Sequence, residues 1–256
     1  MSNTLTVPPA GKTYSIVPSG KPELPWLLTM RGEKVGEFVS CDDALAQAAH
    51  ELRQTPKHTA YRIVSLDTET TGVDDDDEVW EIGLVVRDPA LGPDGDREFH
   101  AFVEHDLARA ERLPDSFRAD HDQRYDASAA LSKAEAGAWL REILTSEKGG
   151  EESRPLFLLG AIPSFDQEKV KPLFRLAAES EDEWPLWHYR LQCIESIARG
   201  YLMGRGIHVP LTVSSDDLVA MTGFVVLGPN GESLYDRHTA LSDAQWALDW
   251  YDHMTS

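Results

Sequence analysis

Apolar and polar positions divide the chain into two patterns, and the first covers about sixty residues. β-Branched and aromatic side chains are concentrated in three runs, which predicts strands at Tyr14–Val17, Trp26–Met30 and Val35–Val39. Ser40 and Asp43 then form a helix start signal. The spacing of an amphipathic helix follows in Leu45, Ala48, Ala49 and Leu52. This pattern predicts a small β-β-β-α accessory unit over residues 1–58.

The second pattern alternates strands with helices and begins after a polar linker at Gln54–Thr59. An apolar run at Tyr61–Leu66 predicts a buried strand. Further strands are predicted at Val79–Arg87, Glu98–Glu104 and Pro155–Gly160. Strands separated by helices are typical of the α/β class, so residues 59–256 are predicted to form an α/β domain.

The helices of this domain are marked by start signals and by apolar spacing. Ser132 with Glu135, and Ser164 with Gln167, have the capping-box spacing that begins a helix. Later stretches with helical spacing lie near residues 191–203, 215–221 and 240–254.

Two further features are interpreted as structural. The acidic run Asp74–Glu78 lacks the spacing of a calcium loop and is read as an exposed loop. The pairs Trp184/Trp187 and Trp246/Trp250 have a spacing that favours core positions over base-stacking platforms.

The charge of the chain narrows the kinds of partner that it can bind. Lys and Arg number 24 and Asp and Glu number 44 among 256 residues, which gives a net charge of −20. All of that excess lies in residues 61–256, and a strongly acidic domain is unsuited to gripping a long nucleic-acid backbone. With 41% hydrophobic residues the chain can bury a core, which excludes a disordered acidic tail.

Cysteine content and hydropathy indicate the compartment. Cys41 and Cys193 are the two cysteines of the chain, too few for a disulfide framework or a Cys-rich zinc site. No apolar run reaches the ~18 residues that a membrane span requires, and the first residues lack the apolar core of a signal peptide. We therefore expect a cytoplasmic protein with no membrane partner.

The candidate functional residues of the α/β domain are carboxylates. Because side chains two apart on a strand share a face, Asp67 and Glu69 project together from the end of the first strand. Asp166 is predicted in the first turn of a helix that follows another strand, at the same sheet edge. Adjacent carboxylates repel unless a cation lies between them, and hard oxygen ligands suit Mg²⁺ or Mn²⁺. Each carboxylate alone is also common as a solvated side chain.

His238 and Asp243 form the last candidate pair. On one helix a gap of five residues would place their side chains ~140° apart. If His238 lies in the loop before the helix and Asp243 in its first turns, both can face one cleft.

Taken in order, these segments resemble the DEDD exonuclease superfamily, in its DnaQ-like, histidine-bearing (DEDDh) branch. Ile63–Gly72 resembles the first motif, and Glu81-Ile82-Gly83 the Glu-Ile-Gly of the next strand. Phe165-Asp166 matches the second motif and His238-x-Ala240-x-x-Asp243 the third, so the resemblance covers about residues 61–254. The family usually has Asn where this chain has Ile162, which Pro163 follows.

The resemblance implies an RNase H-like fold, with a mixed five-stranded sheet flanked by helices, and a two-metal 3′→5′ exonuclease. By position, two divalent ions, Mg²⁺ or Mn²⁺, would be held by Asp67, Glu69, Asp166 and Asp243. His238 would be the general base. The 3′-terminal nucleotide would contact the backbone around Thr70, the carboxylate of Glu81, and Phe165.

The implied reaction releases nucleoside monophosphates from a single-stranded end, and the string Asp-Thr-Glu-Thr-Thr-Gly favours DNA, as in proofreading and repair enzymes. An RNA-trimming or oligonucleotide-degrading exoribonuclease is the alternative within the class. The alternative of another class is a non-catalytic module that binds nucleic acid or a polymerase. Residues 1–58 are a candidate contact for a polymerase or other protein, and the sequence predicts no oligomeric state.

Overall fold

The computed structural model describes residues 14–24, 26–30, 33–54, 61–89, 91, 93–148, 155–177 and 185–255. The chain divides into two compact units, residues 1–60 and residues 61–256. Most of the predicted linker and Trp184 lie outside the described residues. No helix in the described ranges combines the length and the apolar character that crossing a membrane requires.

The first unit is a three-stranded antiparallel sheet followed by a helix. Its elements are β1 (Tyr14–Pro18), β2 (Trp26–Met30), β3 (Glu33–Phe38) and α1 (Cys41–Gln54), with β2 in the centre. The Ser40 hydroxyl accepts a hydrogen bond from the Asp43 backbone N–H at 3.1 Å, which caps α1 as predicted. Leu28 and Ala44 are fully buried between sheet and helix. The β-β-β-α prediction is confirmed.

A mixed five-stranded sheet forms the centre of the second unit, in the order β6-β5-β4-β7-β8. Its strands are β4 (Arg62–Thr70), β5 (Val79–Arg87), β6 (Arg97–Phe102), β7 (Leu156–Gly160) and β8 (Gln192–Cys193). β5 pairs antiparallel with β4 and β6, whereas β7 pairs parallel with β4 and β8. This is the predicted α/β architecture, and β4 is its central strand.

Helices cover both faces of this sheet. They are α2 (Leu107–Ala110), α3 (Asp115–Arg124), α4 (Lys133–Lys148), α5 (Pro163–Ala177), α6 (Ile194–Gly204), α7 (Ser215–Thr222) and α8 (Ala240–Thr255), with a 3₁₀ turn at Pro93–Gly95. One core lies under α4 and α5, and the other lies under α6, α7 and α8. Trp246 and Trp250 are buried in the second core and Trp187 in the first, as predicted.

The two capping-box predictions have different outcomes. Ser132 and Glu135 bond each other's backbone N–H at the start of α4, which confirms that prediction. The prediction for Ser164 and Gln167 is wrong, because α5 begins at Pro163 and Ser164 therefore lies inside the helix. Proline suits the first helical position, since its φ is already helical and its missing N–H is not needed there. The Gln167 side-chain oxygen instead accepts a hydrogen bond from the Trp187 indole at 2.8 Å.

Candidate active site

The end of β4 separates its side chains between the two faces of the sheet. Ile63 packs in the core under α8, and the Ser65 hydroxyl donates to the Ala244 carbonyl of α8 at 2.7 Å. Because side chains alternate along a strand, Asp67 and Glu69 project toward the same side. Thr68 faces α5. The alternation predicted from sequence therefore directs the two carboxylates toward the helix that carries Asp243.

A glycine in β5 lets the start of α8 approach the sheet closely. Gly83 pairs with Asp67 in the register of β4 and β5. A Cβ at Gly83 would lie only 2.2 Å from the Ala240 carbonyl carbon and from the Leu241 nitrogen. The carboxylate of Asp243, in the first turn of α8, is thereby brought to Asp67 and Glu69. Carboxylate oxygens of these three residues all lie within 4.8 Å of one another.

Asp166, in the first turn of α5, is not one of these three carboxylates but lies near enough to Asp67 to raise the pKa of that residue. Its Oδ1 accepts hydrogen bonds from the Thr68 backbone N–H at 3.1 Å and from the Thr68 hydroxyl at 2.8 Å. The side chain is buried, with 4% of its surface exposed. β4 and α5 thus hold one oxygen of Asp166 in place beside Asp67.

Burial raises the pKa of Asp67, Glu69 and Asp166, and repulsion from neighbouring carboxylates adds to the shift for Asp67 and Glu69. Burial, reinforced by Asp166, Asp243 and Glu69, raises the pKa of Asp67 well above its usual value. Burial, followed by repulsion from Glu81 and Asp243, raises the pKa of Glu69 to about 8. Burial raises the pKa of Asp166 to about 7, although the Thr68 hydrogen bonds oppose the shift. A divalent cation would relieve this repulsion, so the donor set fits one.

His238 lies in the loop before α8, which is the second of the two placements considered from sequence. Its backbone N–H donates to Asp243 Oδ2 at 3.0 Å, and its ring makes an edge contact with Phe117 at 5.7 Å between centroids. The side chain is exposed, and the backbone has φ = +69°, in the left-handed region. The imidazole is therefore exposed, and the backbone of His238 is bonded to one carboxylate of the cluster.

Arg237 is a neighbour of the cluster that sequence reasoning missed. Its Nε donates to Asp243 Oδ1, and its guanidinium lies 3.9 Å from the centroid of the Trp246 ring. Arg237 also lowers the pKa of Asp67. Its position directly before His238 is the sequence signal that would have identified it.

The three residues expected at the substrate have different surroundings. Glu81 is 3% exposed; its Oε1 lies 2.8 Å from His100 Nε2, and its Oε2 accepts from Arg124 and, at 3.4 Å, from the Ala240 N–H. Burial favours a high pKa for Glu81, but the hydrogen bonds from His100 and Arg124 outweigh it and lower the pKa.

Thr70, the last residue of β4, and Phe165, in the first turn of α5, are both half-buried. The Thr70 hydroxyl donates to the Gly72 carbonyl at 2.6 Å. The Phe165 ring lies 5.3 Å from Lys169 Nζ, which also donates to the carbonyls of Asp74 and Asp77 in the predicted exposed loop. Ile162, where the family usually has Asn, exposes 59% of its surface.

Metal-free protein is expected to lose stability as the pH rises from about 4 to about 8. Glu69 and Asp166 hold protons in the folded state that the unfolded chain has released in this window, so deprotonation costs folding energy on the order of a few kcal/mol. Thermal denaturation with chelator at about pH 5 and about pH 8 measures the loss. Millimolar Mg²⁺ is expected to reduce it, because binding to the deprotonated folded state adds stability. Identical pH dependence with and without Mg²⁺ would contradict the prediction.

No protein-family profile matches the chain, and no curated protein sequence matches it. Several solved structures are similar to the chain. Cell-death related nuclease 4 (CRN-4) shares 16% identity at a TM-score of 0.53, over 76% of this chain and 63% of that one. The nuclease domain of 3′hExo, a DEDDh family member bound to rAMP, shares 14% identity at a TM-score of 0.46, over 75% and 88% of the two chains. The aligned part thus spans under two thirds of the length of CRN-4. The chain has the fold of CRN-4, and the fold expected from the resemblance is confirmed.

Proposed function

We propose that residues 61–256 form a metal-dependent 3′→5′ exonuclease domain. The observation that carries this proposal is the convergence of Asp67, Glu69 and Asp243 within 4.8 Å, at one edge of a nuclease-like sheet. Burial and repulsion raise the pKa values of Asp67 and Glu69, so this group of close carboxylates is poorly suited to a structural role, because the repulsion destabilises the metal-free fold. It is well suited to holding divalent cations.

In this proposal Asp67, Glu69, Asp166 and Asp243 hold two divalent ions, Mg²⁺ or Mn²⁺. Bound there, the ions would supply an acidified water and stabilise the departing 3′-oxygen. His238 takes a proton from the attacking water, a role that suits an exposed imidazole. The bond from its backbone N–H to Asp243 fixes it relative to the cluster.

The chain's own residues also define where the substrate end lies. Thr70 at the end of β4 and Phe165 in α5 flank the carboxylates, and we propose that they contact the 3′-terminal nucleotide. A direct contact of Glu81 with the 3′-hydroxyl stays a prediction, and it would require this carboxylate to exchange one of its present hydrogen bonds.

We propose a single-stranded DNA end as the substrate, with RNA as the alternative. Two bound divalent ions would reduce the formal charge of −20 to −16, which still disfavours long contacts with a phosphate backbone. We therefore expect slow, distributive removal of nucleotides. A cytoplasmic location, and a polymerase or other protein partner for residues 1–58, stay predictions.

The proposal is tested with 5′-labelled single-stranded DNA, duplex DNA and RNA, each with Mg²⁺, Mn²⁺ or chelator. A stepwise ladder that requires metal is the expected result, and the polymer shortened fastest identifies the substrate. His238→Ala is expected to lower the rate by ~10²–10⁴, as loss of a general base does. His208→Ala, at another exposed histidine, is the matched control. Failure of the parent protein to degrade any of these substrates would leave the non-catalytic binding module as the better hypothesis.

A further inference from the structure

Arg124, the last residue of α3, connects three separate parts of the second unit. Its guanidinium binds the Asp120 carboxylate through two hydrogen bonds, at 2.9 and 2.6 Å. It also donates to Glu81 of β5 and, at 2.7 Å, to the backbone carbonyl of His238. The guanidinium lies 4.8 Å from the Trp80 ring, and only 17% of the side chain is exposed.

The carbonyl that Arg124 binds belongs to a strained residue. His238 is the one non-glycine residue with positive φ in the described part of the chain, and that conformation costs about 1–2 kcal/mol. Such a conformation persists only when its surroundings impose it. Here Asp243 accepts from the N–H of His238, and Arg124 donates to its C=O. The backbone is therefore held on both sides of the strained residue.

Glu81 completes this support at the next residues. The oxygen that accepts from Arg124 also accepts from the Ala240 N–H at the start of α8. Arg124 and Glu81 therefore clamp the segment from His238 to Ala240 against β5. Loss of the clamp would let His238 relax toward negative φ, which would redirect its imidazole.

We propose that Arg124 is a positioning residue that holds His238 in its active orientation, an inference that rests on the proposed function. The role requires a planar group that donates in several directions at once, and lysine does not supply one. Arg124 also lowers the pKa of Glu69 through its charge. Arg124→Lys keeps that charge and removes only the planar guanidinium with its several donors, so it isolates the positioning role.

The experiment compares Arg124→Lys and Arg124→Ala with Arg118→Lys, a control on the same helix whose arginine pairs with Asp115. For Arg124→Lys we expect kcat to fall about 10–100-fold, the range expected for a misplaced reacting group. We expect KM and the Kd for Mn²⁺ to change less than about threefold. Arg124→Ala is expected to lower kcat further than Arg124→Lys does, so that lysine partly restores kcat. Arg118→Lys is expected to have the kcat of the parent protein.

Other outcomes overturn the inference. A rise in KM with unchanged kcat would indicate that Arg124 contacts the substrate. An equal loss of kcat and of Mn²⁺ affinity would indicate that Arg124 only stabilises the fold. The crystal structure of Arg124→Lys, or of Arg124→Ala where it folds, gives a readout that needs no activity. His238 still at positive φ in that structure would overturn the inference, even if the parent protein degrades nucleic acid. A parent protein without nuclease activity would instead refute the proposed function, while this structure still decides whether Arg124 holds His238.

Discussion

Asp67→Asn is expected to abolish nucleotide release and, at the same time, to make the metal-free protein more stable. Asp67 lies at the centre of the cluster: Asp166, Asp243 and Glu69 all raise its pKa. In the proposed function it is a metal ligand, and an amide is a weaker, neutral substitute for a carboxylate. We expect the rate on the preferred substrate to fall at least ~10³-fold, in line with the loss of a principal electrostatic group.

The gain in stability comes from the repulsion between Asp67 and the neighbouring carboxylates. A carboxylate at position 67 must either hold a proton or repel its neighbours, and Asn removes that cost without changing the size of the side chain. Metal-free Asp67→Asn is expected to unfold roughly 2–8 °C above the parent protein at about pH 8, for a gain on the order of 1–2 kcal/mol in a domain of this size. With saturating Mg²⁺ the order is expected to reverse, because the parent protein gains more from binding.

Thermal denaturation and the labelled-end assay measure these two effects. Asp75→Asn, in the exposed loop between β4 and β5, removes one negative charge away from the cluster and is the matched control. It is expected to leave both activity and melting temperature close to those of the parent protein. An active Asp67→Asn protein would contradict the assigned ligand role. An inactive variant that is less stable without metal would contradict the account of repulsion.

Local rules predicted the parts of the site that depend on neighbours in sequence. The period of two in a strand placed Asp67 and Glu69 on one face. For His238 and Asp243 the sequence left two placements open, and the structure has His238 in the loop before α8. The order of strand and helix placed Asp166 at the same sheet edge, and the resemblance to a known family then joined all of these residues into one site.

The supporting contacts could not be predicted in that way, because they join residues far apart in the chain. Arg124 reaches Glu81 across 43 positions and His238 across 114, so neither contact has a local pattern. The start of α5 was predicted wrongly for a different reason. Ser164 and Gln167 fit the capping-box spacing, but the conformational restriction of Pro163 determines where that helix begins.

Gly83→Val is expected to destabilise the second unit and to displace Asp243 from the other carboxylates. The Cβ that any other residue adds at this position would lie 2.2 Å from backbone atoms of Ala240 and Leu241. Those atoms belong to the first turn of α8 and have no flexible end that could move aside. The helix must therefore shift by more than an ångström, or its first turn must unwind. Both changes displace Asp243, which lies in that turn.

The expected cost of Gly83→Val exceeds ~3 kcal/mol, at the upper end for overpacking, because backbone rather than side chains must move. In a domain of about 200 residues this corresponds to a melting temperature lower by roughly 6–12 °C. Gly83→Ala adds only the Cβ and is expected to act in the same direction, with activity reduced at temperatures where the variant is folded.

Gly200→Ala in α6 is the matched control, because a Cβ there meets no atom within 4 Å. Alanine favours a helix over glycine by up to ~1 kcal/mol, so this variant is expected to be at least as stable as the parent protein. Thermal denaturation of the three variants and the labelled-end assay give the comparison. A Gly83→Ala protein with parental stability and parental activity would mean that α8 does not need this close approach to bring Asp243 to Asp67, and the geometry proposed for the site would then be wrong.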